Sequence, residues 1–470
     1  MLNQQIIEKF ISIVGKDNVD TSNMGRLAYS FDATPQFQSL PDAVISPRST
    51  QETAEIVKVC NEYKVPIVAR GSGTNLCAGT CPTEGGIVLV FRHMNKILEI
   101  DEENLTATVQ AGVITLDLIH AVEAKGLFYP PDPSSMKIST IGGNINENSG
   151  GLRGLKYGVT RDYVMGLEII LPNGEIMRTG GKLAKDVAGY DFTRLFVGSE
   201  GTLGIITEAI LKLVPMPETK QTMLALYEDI EDAACAVSAI IANKIIPTTL
   251  EFLDQATIEV VEDFAQIGLP TDAKAVLLIE QDGPPEVVHR DIQRMAEICT
   301  NLHAVSVRIA ADEAEADALR TARRSALSAL ARLKPTTILE DATVPRSQIA
   351  PMVRAINEIA KKHNVRICTF GHAGDGNLHP TCPTDARDKE EIHRVELAFE
   401  EIFEKAIELG GTITGEHGVG VMKAPYLEWK LGASGIAAMK AVKHAFDPNN
   451  IMNPGKVFAK ESRKRVVITQ

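Results

Sequence analysis

The sequence predicts an α+β protein of two unlike halves, and three observations carry that expectation. The chain has 470 residues, room for two or three domains at roughly 100–200 residues each. Residues 41–214 read as short strands and helices broken by glycine-rich loops. Residues 218 to about 410 alternate apolar strand-like runs with helical stretches, the pattern of a second α+β domain whose sheet is covered on one face. A hydrophobic share of 44% and a charged share of 23% exclude global disorder.

The elements follow in order. The start, MLNQQIIEKFISIVGKDNVD, is an amphipathic helix within an N-terminal segment 1–40, since it lacks the basic start and long apolar stretch of a leader. Ser49-Thr50-Gln51-Glu52 has capping-box spacing and opens a helix to about Tyr63. Val65–Ala69, Ile87–Val90, Thr106–Ala111 and Tyr163–Leu171 are strands, the last turning at Pro172-Asn173-Gly174 into Glu175–Arg178. Ile205–Val214 ends at Pro215-Met216-Pro217, which closes a domain over 41–217. The second domain, 218–410, carries strands at 222–227, 248–253, 275–280, 304–309 and 336–344, and helices at 229–243, 284–302 and 311–333. The segment 411–470 reads as helical and ends in Ser462-Arg463-Lys464-Arg465, a solvated terminus.

Charge and cysteine content narrow the function. Lys and Arg number 48 against 61 Asp and Glu, a net −13, which argues against nucleic acid as partner. An anionic substrate would need a local cationic site to overcome that field. Seven scattered Cys without a CxxC fit a reduced, cytosolic protein, and Cys77 and Cys81 lack the second pair of a structural zinc site. No apolar run reaches the ~18–20 residues of a membrane span, and there is no lipidation motif.

Four glycine-rich segments crowd the first half. Arg70-Gly71-Ser72-Gly73-Thr74-Asn75 follows a strand and can present consecutive amides to a phosphate. It is not a Rossmann fingerprint, because Leu76 stands where the third glycine belongs and CAGTCPTEGG cannot continue as an amphipathic helix. Pro130-Pro131-Asp132-Pro133-Ser134 precedes Thr140–Gly151, a donor-rich stretch with two Gly pairs. Lys156-Tyr157-Gly158 and Gly198–Ile206 complete the set. Each alone reads as a tight turn; four in one domain read as a binding surface.

The second half concentrates histidine. Gly371–His379 and Gly415–Gly420 hold three of the ten His between glycines. If 366–372 and 377–382 are strands joined through Gly374-Asp375-Gly376, His372 and His379 converge across a hairpin. Two imidazoles plus a carboxylate suit a divalent transition metal with open positions; the plain alternative is a glycine-rich turn with packed histidines. Arg323 and Arg324 lie on a helix and by themselves read as surface charges.

RGSGTN, PPDPSS, TIGGNINENSGG and GSEGTLGIIT, in this order and spacing, resemble the FAD-binding domain of the vanillyl-alcohol oxidase/p-cresol methylhydroxylase (PCMH) superfamily. Within it the chain resembles glycolate oxidase flavin subunits and D-lactate dehydrogenases over nearly its full length. The resemblance implies a PCMH-type FAD-binding domain of two α+β subdomains, an α+β substrate (cap) domain with an antiparallel sheet, and a C-terminal segment returning to the flavin. It places Arg70, Gly71, Ser72, Gly73, Thr74 and Asn75 at the pyrophosphate, Pro131, Asp132, Gly142 and Gly143 near the isoalloxazine and phosphates, Ile205 and Ile206 on the adenine side, and Asn453 at the flavin edge. Ser134, Ile141, Asn148, Gly151, Tyr157, Gly158, Glu200 and Gly201 fill out the implied cofactor contacts. Thr74 and Asn75 stand where a covalent flavin ligand would sit, so FAD is expected to be non-covalent. His372, His379 and Glu416 match the ligands of a divalent metal (Zn, Mn or Fe), His417 matches the base, and Arg323 matches the residue holding the substrate carboxylate.

The chemistry expected is then oxidation of a short 2-hydroxy acid, glycolate or D-lactate. The metal acidifies the hydroxyl, His417 takes its proton and flavin N5 takes the hydride. Relatives specific for 2-hydroxyglutarate carry a Lys shortly before the motif matching Asp341–Pro345; here Leu339 and Glu340 occupy that stretch, which disfavours a dicarboxylate. Electrons would pass to a partner protein or quinone, with a second flavin-domain subunit and an iron–sulfur subunit as implied companions. Competing readings are a D-2-hydroxyglutarate-type dehydrogenase; a non-catalytic flavoprotein subunit of a multi-subunit glycolate oxidase, which need not keep the full histidine set; and a flavin-free metal scaffold, which leaves the glycine loops unexplained.

Overall fold

The computed structural model describes residues 2–34 and 36–458, so the basic cluster at 462–465 lies outside the described residues. The N-terminal helix Gln4–Val14 is capped by Asn3 and buries Ile6, Phe10 and Val14 against the helix Thr50–Tyr63. Ser49 Oγ accepts from Glu52 N at 3.1 Å while Glu52 Oε2 accepts from Arg48 N at 2.7 Å, so the expected cap forms. That helix crosses over between Ala43–Ile45 and Ile67–Arg70, which pair in parallel with Ile87–Val90 between them. The second sheet of this half is antiparallel, in the order 97–101, 106–110, 205–212, 164–170, 176–180.

Thr140–Glu147 differs from its reading as a turn-like stretch. Residues Ile141–Glu147 form a helix in spite of Gly142 and Gly143, because Thr140 Oγ1 caps Gly143 N at 3.2 Å and Ile141 and Ile145 are buried. Gly142 is required at its position: a Cβ there would lie 2.7 Å from Ala111 Cβ and 2.9 Å from its carbonyl oxygen.

The second half is built on an eight-stranded antiparallel sheet. Its main path runs 306–309, 219–227, 275–283, 249–254, 368–372, 377–384, 336–339. The expected one-sided cover is corrected here, since helices pack on both faces. Met223, Ala225, Leu250 and Phe252 face helices 230–242, 285–301, 349–363 and 389–408. Leu224, Leu253, Val276 and Leu278 face the helices Gln255–Ala265 and Ala326–Leu330. Strands buried on both sides, such as Thr249–Asp254, leave no polar face to mark solvent. The expected helix 311–333 divides into Glu313–Arg324 and Ala326–Leu330, and the strand 336–344 is interrupted at Glu340-Asp341.

Residues 411–423 are irregular rather than helical; the helix follows at Leu427–Phe446. The chain then returns to the first half. Ile451 O accepts from Ile67 N at 2.7 Å, and Asn453 N donates to Ile67 O at 2.8 Å. Among the described residues no helix is long and apolar enough to cross a membrane.

Candidate functional site

One cavity of about 530 Å³ runs between the two halves. Its first wall is mostly small residues and backbone. Gly71, Ser72, Gly73, Thr74 and Asn75 come from the loop after Ile67–Arg70; Gly142 and Gly143 from the short helix; Ser134, Gly151, Glu200, Gly201 and Ile206 from other loops; and Asn453 from the returning segment. Arg70 lines it too, but Nη1 is turned back on Phe31 O (2.6 Å) and Thr80 Oγ1 (3.3 Å). Arg70 therefore braces the loop through those two bonds.

The second wall is ionisable. The strands Cys368–His372 and Asn377–Thr384 form the expected hairpin, registering Phe370 opposite His379 and His372 opposite Asn377. Both histidines point to the same face, with ring centroids 5.2 Å apart. Glu416 reaches them from the 411–423 loop. Its Oε1 is 3.1 Å from His372 Nε2, 3.2 Å from His379 Nε2 and 3.9 Å from His417 Nε2. The His417 ring stacks on His379 with centroids 5.0 Å apart. Three imidazole nitrogens around one carboxylate oxygen is a donor set that could hold a divalent cation, and His372, His379 and Glu416 offer ligand atoms within 4.8 Å of one another.

Electrostatics sort these groups. Burial depresses His372, but Glu251 and Glu416 outweigh it and hold its pKa well above the usual value. Burial raises Glu416, yet His372 and His379 bring it well below. For His417 burial dominates and, although Asp341 opposes, lowers the pKa to about 4, so the ring is neutral at pH 7.

Two buried carboxylates hold the 414–420 loop from opposite sides. Asp341 Oδ2 accepts from Thr414 Oγ1 (2.8 Å) and from the amides of Gly415 (2.7 Å), Glu416 (2.9 Å) and His417 (3.0 Å). Glu200, from the other half, accepts from Val419 N (2.8 Å) and Gly420 N (2.7 Å). Gly150 leaves room for Glu416, because a Cβ there would sit 2.5 Å from Glu416 Oε2.

Arg323 reaches the cavity from the end of Glu313–Arg324, but it is 4% exposed rather than a surface charge. It pairs with Glu251 Oε2 at 2.6 Å and lies over Phe370, while its Nε has no hydrogen-bond partner. Glu251 Oε1 also meets His372 Nδ1 at 2.7 Å. This fully buried carboxylate on Thr249–Asp254 was missed in the sequence, where its signal is a single acid inside an apolar strand. Arg324, also on the wall, differs from the surface charge its helix suggests and pairs with buried Asp132 at 3.2 Å.

Seven expected cofactor residues stand behind the wall rather than on it: Pro131, Asp132, Ile141, Asn148, Tyr157, Gly158 and Ile205. Asp132 holds Arg324, and Tyr157 Oη donates to Asp282 of the other half at 2.9 Å. Ile141 and Ile205 fill the hydrophobic cores, while Asn148 and Gly158 terminate short helices with positive φ.

Comparison with known proteins places this geometry. A family model described as "FAD binding domain" matches residues 41–180, and one described as "FAD linked oxidases, C-terminal domain" matches 216–457. The chain is 74% identical over 467 residues to the glycolate oxidase subunit GlcD of Bacillus subtilis (strain 168), covering 99% of each chain. It is 36% identical to a D-lactate dehydrogenase of Anaerostipes hadrus, covering 97% of this chain and 98% of that one. A crystal structure of p-cresol methylhydroxylase with substrate bound shares the fold with a TM-score of 0.80 at 18% identity, over 97% of this chain and 98% of that chain.

Proposed function

The chain belongs to the family of FAD-linked oxidases, and on that premise we propose that it is the flavin subunit of a glycolate oxidase, oxidising glycolate or D-lactate. It is an FAD-dependent oxidoreductase acting on 2-hydroxy acids. The observation that carries the finer reading is the shared cavity between the halves, walled by glycine loops on one side and by His372, His379, Glu416 and His417 on the other.

The first wall suits FAD. Gly142 permits the backbone to close on Ala111, and Asn453 Oδ1 is a buried acceptor without a donor. Bound there, FAD supplies the hydride acceptor. The second wall suits a divalent cation on His372, His379 and Glu416, which would acidify the substrate hydroxyl. His417 is neutral, with Nδ1 facing Asp341 at 3.9 Å and Nε2 facing the cluster, so Nε2 is the atom that takes the hydroxyl proton. Arg323 Nε meets the substrate carboxylate, and Glu251 keeps the guanidinium in place. Leu339 lines the cavity and Glu340 faces Lys423 at 3.5 Å, so neither offers a cation to a second carboxylate. Electrons leave to a partner protein or quinone, with a second flavin-domain subunit and an iron–sulfur subunit as companions. The protein is cytoplasmic, and any membrane contact is made through those partners.

The test is anaerobic bleaching of the purified flavoprotein by glycolate, D-lactate, L-lactate or D-2-hydroxyglutarate, with metal analysis of the same sample. Bleaching by glycolate or D-lactate is expected. Bleaching by D-2-hydroxyglutarate alone removes the short-acid assignment, and a protein that retains no divalent metal removes the metal.

A further inference from the structure

A second ionisable cluster lies on the glycine-rich wall, apart from the histidines. Cys77 Sγ and one carboxylate oxygen each of Glu147 and Glu200 lie within 4.8 Å of one another. Both glutamates line the cavity. Among the described residues neither has a Lys or Arg partner within 4.0 Å. The two nearby lysines are directed elsewhere: Lys423 Nζ faces Glu340 at 3.5 Å, and Lys456 Nζ donates to Cys81 O at 2.6 Å. Asp32, the other acid nearby, accepts from Thr80 N and Oγ1, both at 3.1 Å. Two adjacent carboxylates with no Lys or Arg in direct contact repel one another, which favours one proton held between them.

The hydrogen bonds decide which one keeps the proton. Glu200 accepts two backbone amides, an arrangement that favours its ionised form. Glu147 receives only the weak thiol donor of Cys77, at 3.7 Å. Burial, with Glu200 and Asp32 adding to it, pushes the Glu147 carboxyl well up; burial also raises Glu200, but the Val419 and Gly420 amides oppose that rise.

An independent observation points to what this pair meets. Asn453 is 3% exposed, and its Nδ2 is committed to Gly79 O (2.9 Å) and Glu200 O (2.7 Å). That leaves Oδ1 as a buried acceptor with no donor in the protein, on a residue that lines the cavity. A ligand carrying an N–H beside carbonyl oxygens would satisfy both an orphan acceptor and an acid donor, and the pyrimidine edge of an isoalloxazine has that pattern. We propose that Glu147 and Glu200 form a one-proton carboxyl pair and that Glu147 donates its hydrogen bond to bound FAD. This rests on the flavin reading above.

The test uses the full-length, FAD-loaded protein. Infrared difference spectra of oxidised against dithionite-reduced protein should show a neutral carboxylic-acid C=O band that shifts on flavin reduction and disappears in Glu147→Gln. Glu147→Gln keeps a neutral donor, so its FAD Kd should stay within about twofold of the parent, whereas Glu147→Ala should weaken FAD by about fivefold or more, the worth of one hydrogen bond. A flavin-sensitive acid band that survives Glu147→Gln overturns the inference, as does its absence from the parent. Equal FAD affinity of the Gln and Ala variants also overturns it. Failure of the parent to bind FAD at all would instead remove the flavin reading.

Discussion

The two walls of the cavity handle charge in opposite ways. The glycine-rich wall carries little side-chain bulk and presents amides, with Glu200 spending its charge on the loop opposite. The other wall packs His372, His379, Glu416, His417 and Arg323 onto strands, a helix end and one pinned loop, with Glu251 buried behind them. The difference teaches a division of labour. On the proposed function, shape for a large cofactor comes from residues that take little space, whereas acid–base chemistry comes from side chains whose partners fix them to the eight-stranded sheet.

That contrast can be broken one wall at a time. The largest effect is expected for His417→Ala, which should lower the rate of anaerobic flavin reduction by about 10²–10⁴-fold while the flavin absorbance is kept; reduction at the parental rate would remove His417 as base. Glu251→Gln comes next. It loses the carboxylate that orients His372, and isothermal titration of the FAD-loaded protein should show divalent-cation affinity lower by about 10–100-fold with unchanged flavin content. Gly142→Ala attacks the opposite wall. Overpacking against Ala111 should cost about 1–3 kcal/mol and lower FAD occupancy, while bound metal per chain stays the same.

The smallest effect concerns pH. The folded His417 value of about 4 lies below its ordinary 6.5, so the neutral, proton-accepting form persists down to about pH 4. The acid limb of the reduction rate should therefore fall near pH 4 rather than near 6.5. By the same sign, the unfolded chain binds this proton first, so the group lowers stability as pH drops from about 6.5 toward 4. An acid limb at 6.5 would assign it to another group.

The sequence disclosed the parts of this site that are local. The cap at Ser49, the strand Ile87–Val90 and the His372/His379 hairpin depend on near neighbours and are legible in spacing alone. What it concealed is carried by long-range partners. Nothing within the segment around Glu251 announces that it will meet His372, 121 positions away. Arg323 and Arg324 sit in a strongly charged helix, and only the fold shows that their guanidiniums turn inward to buried acids. The helix over Ile141–Glu147 was hidden by its glycines, whose poor helix propensity is overridden by the Thr140 cap and two buried isoleucines. The second covered face of the eight-stranded sheet was hidden because Gln255–Ala265 begins directly after a strand whose own last residue, Asp254, serves as its cap.

The pairing of Ile67 with residues 451–453 has a consequence for biogenesis. On the ribosome the glycine-rich half emerges first, yet the outer edge of its parallel sheet stays unpaired until nearly the whole chain has been made. Asn453 joins the cavity wall at the same moment. Completion of the cavity wall is therefore a late event in the life of the polypeptide, and a chain stopped just after the helix Leu427–Phe446 would carry both halves but leave a bare strand edge, a template for aggregation.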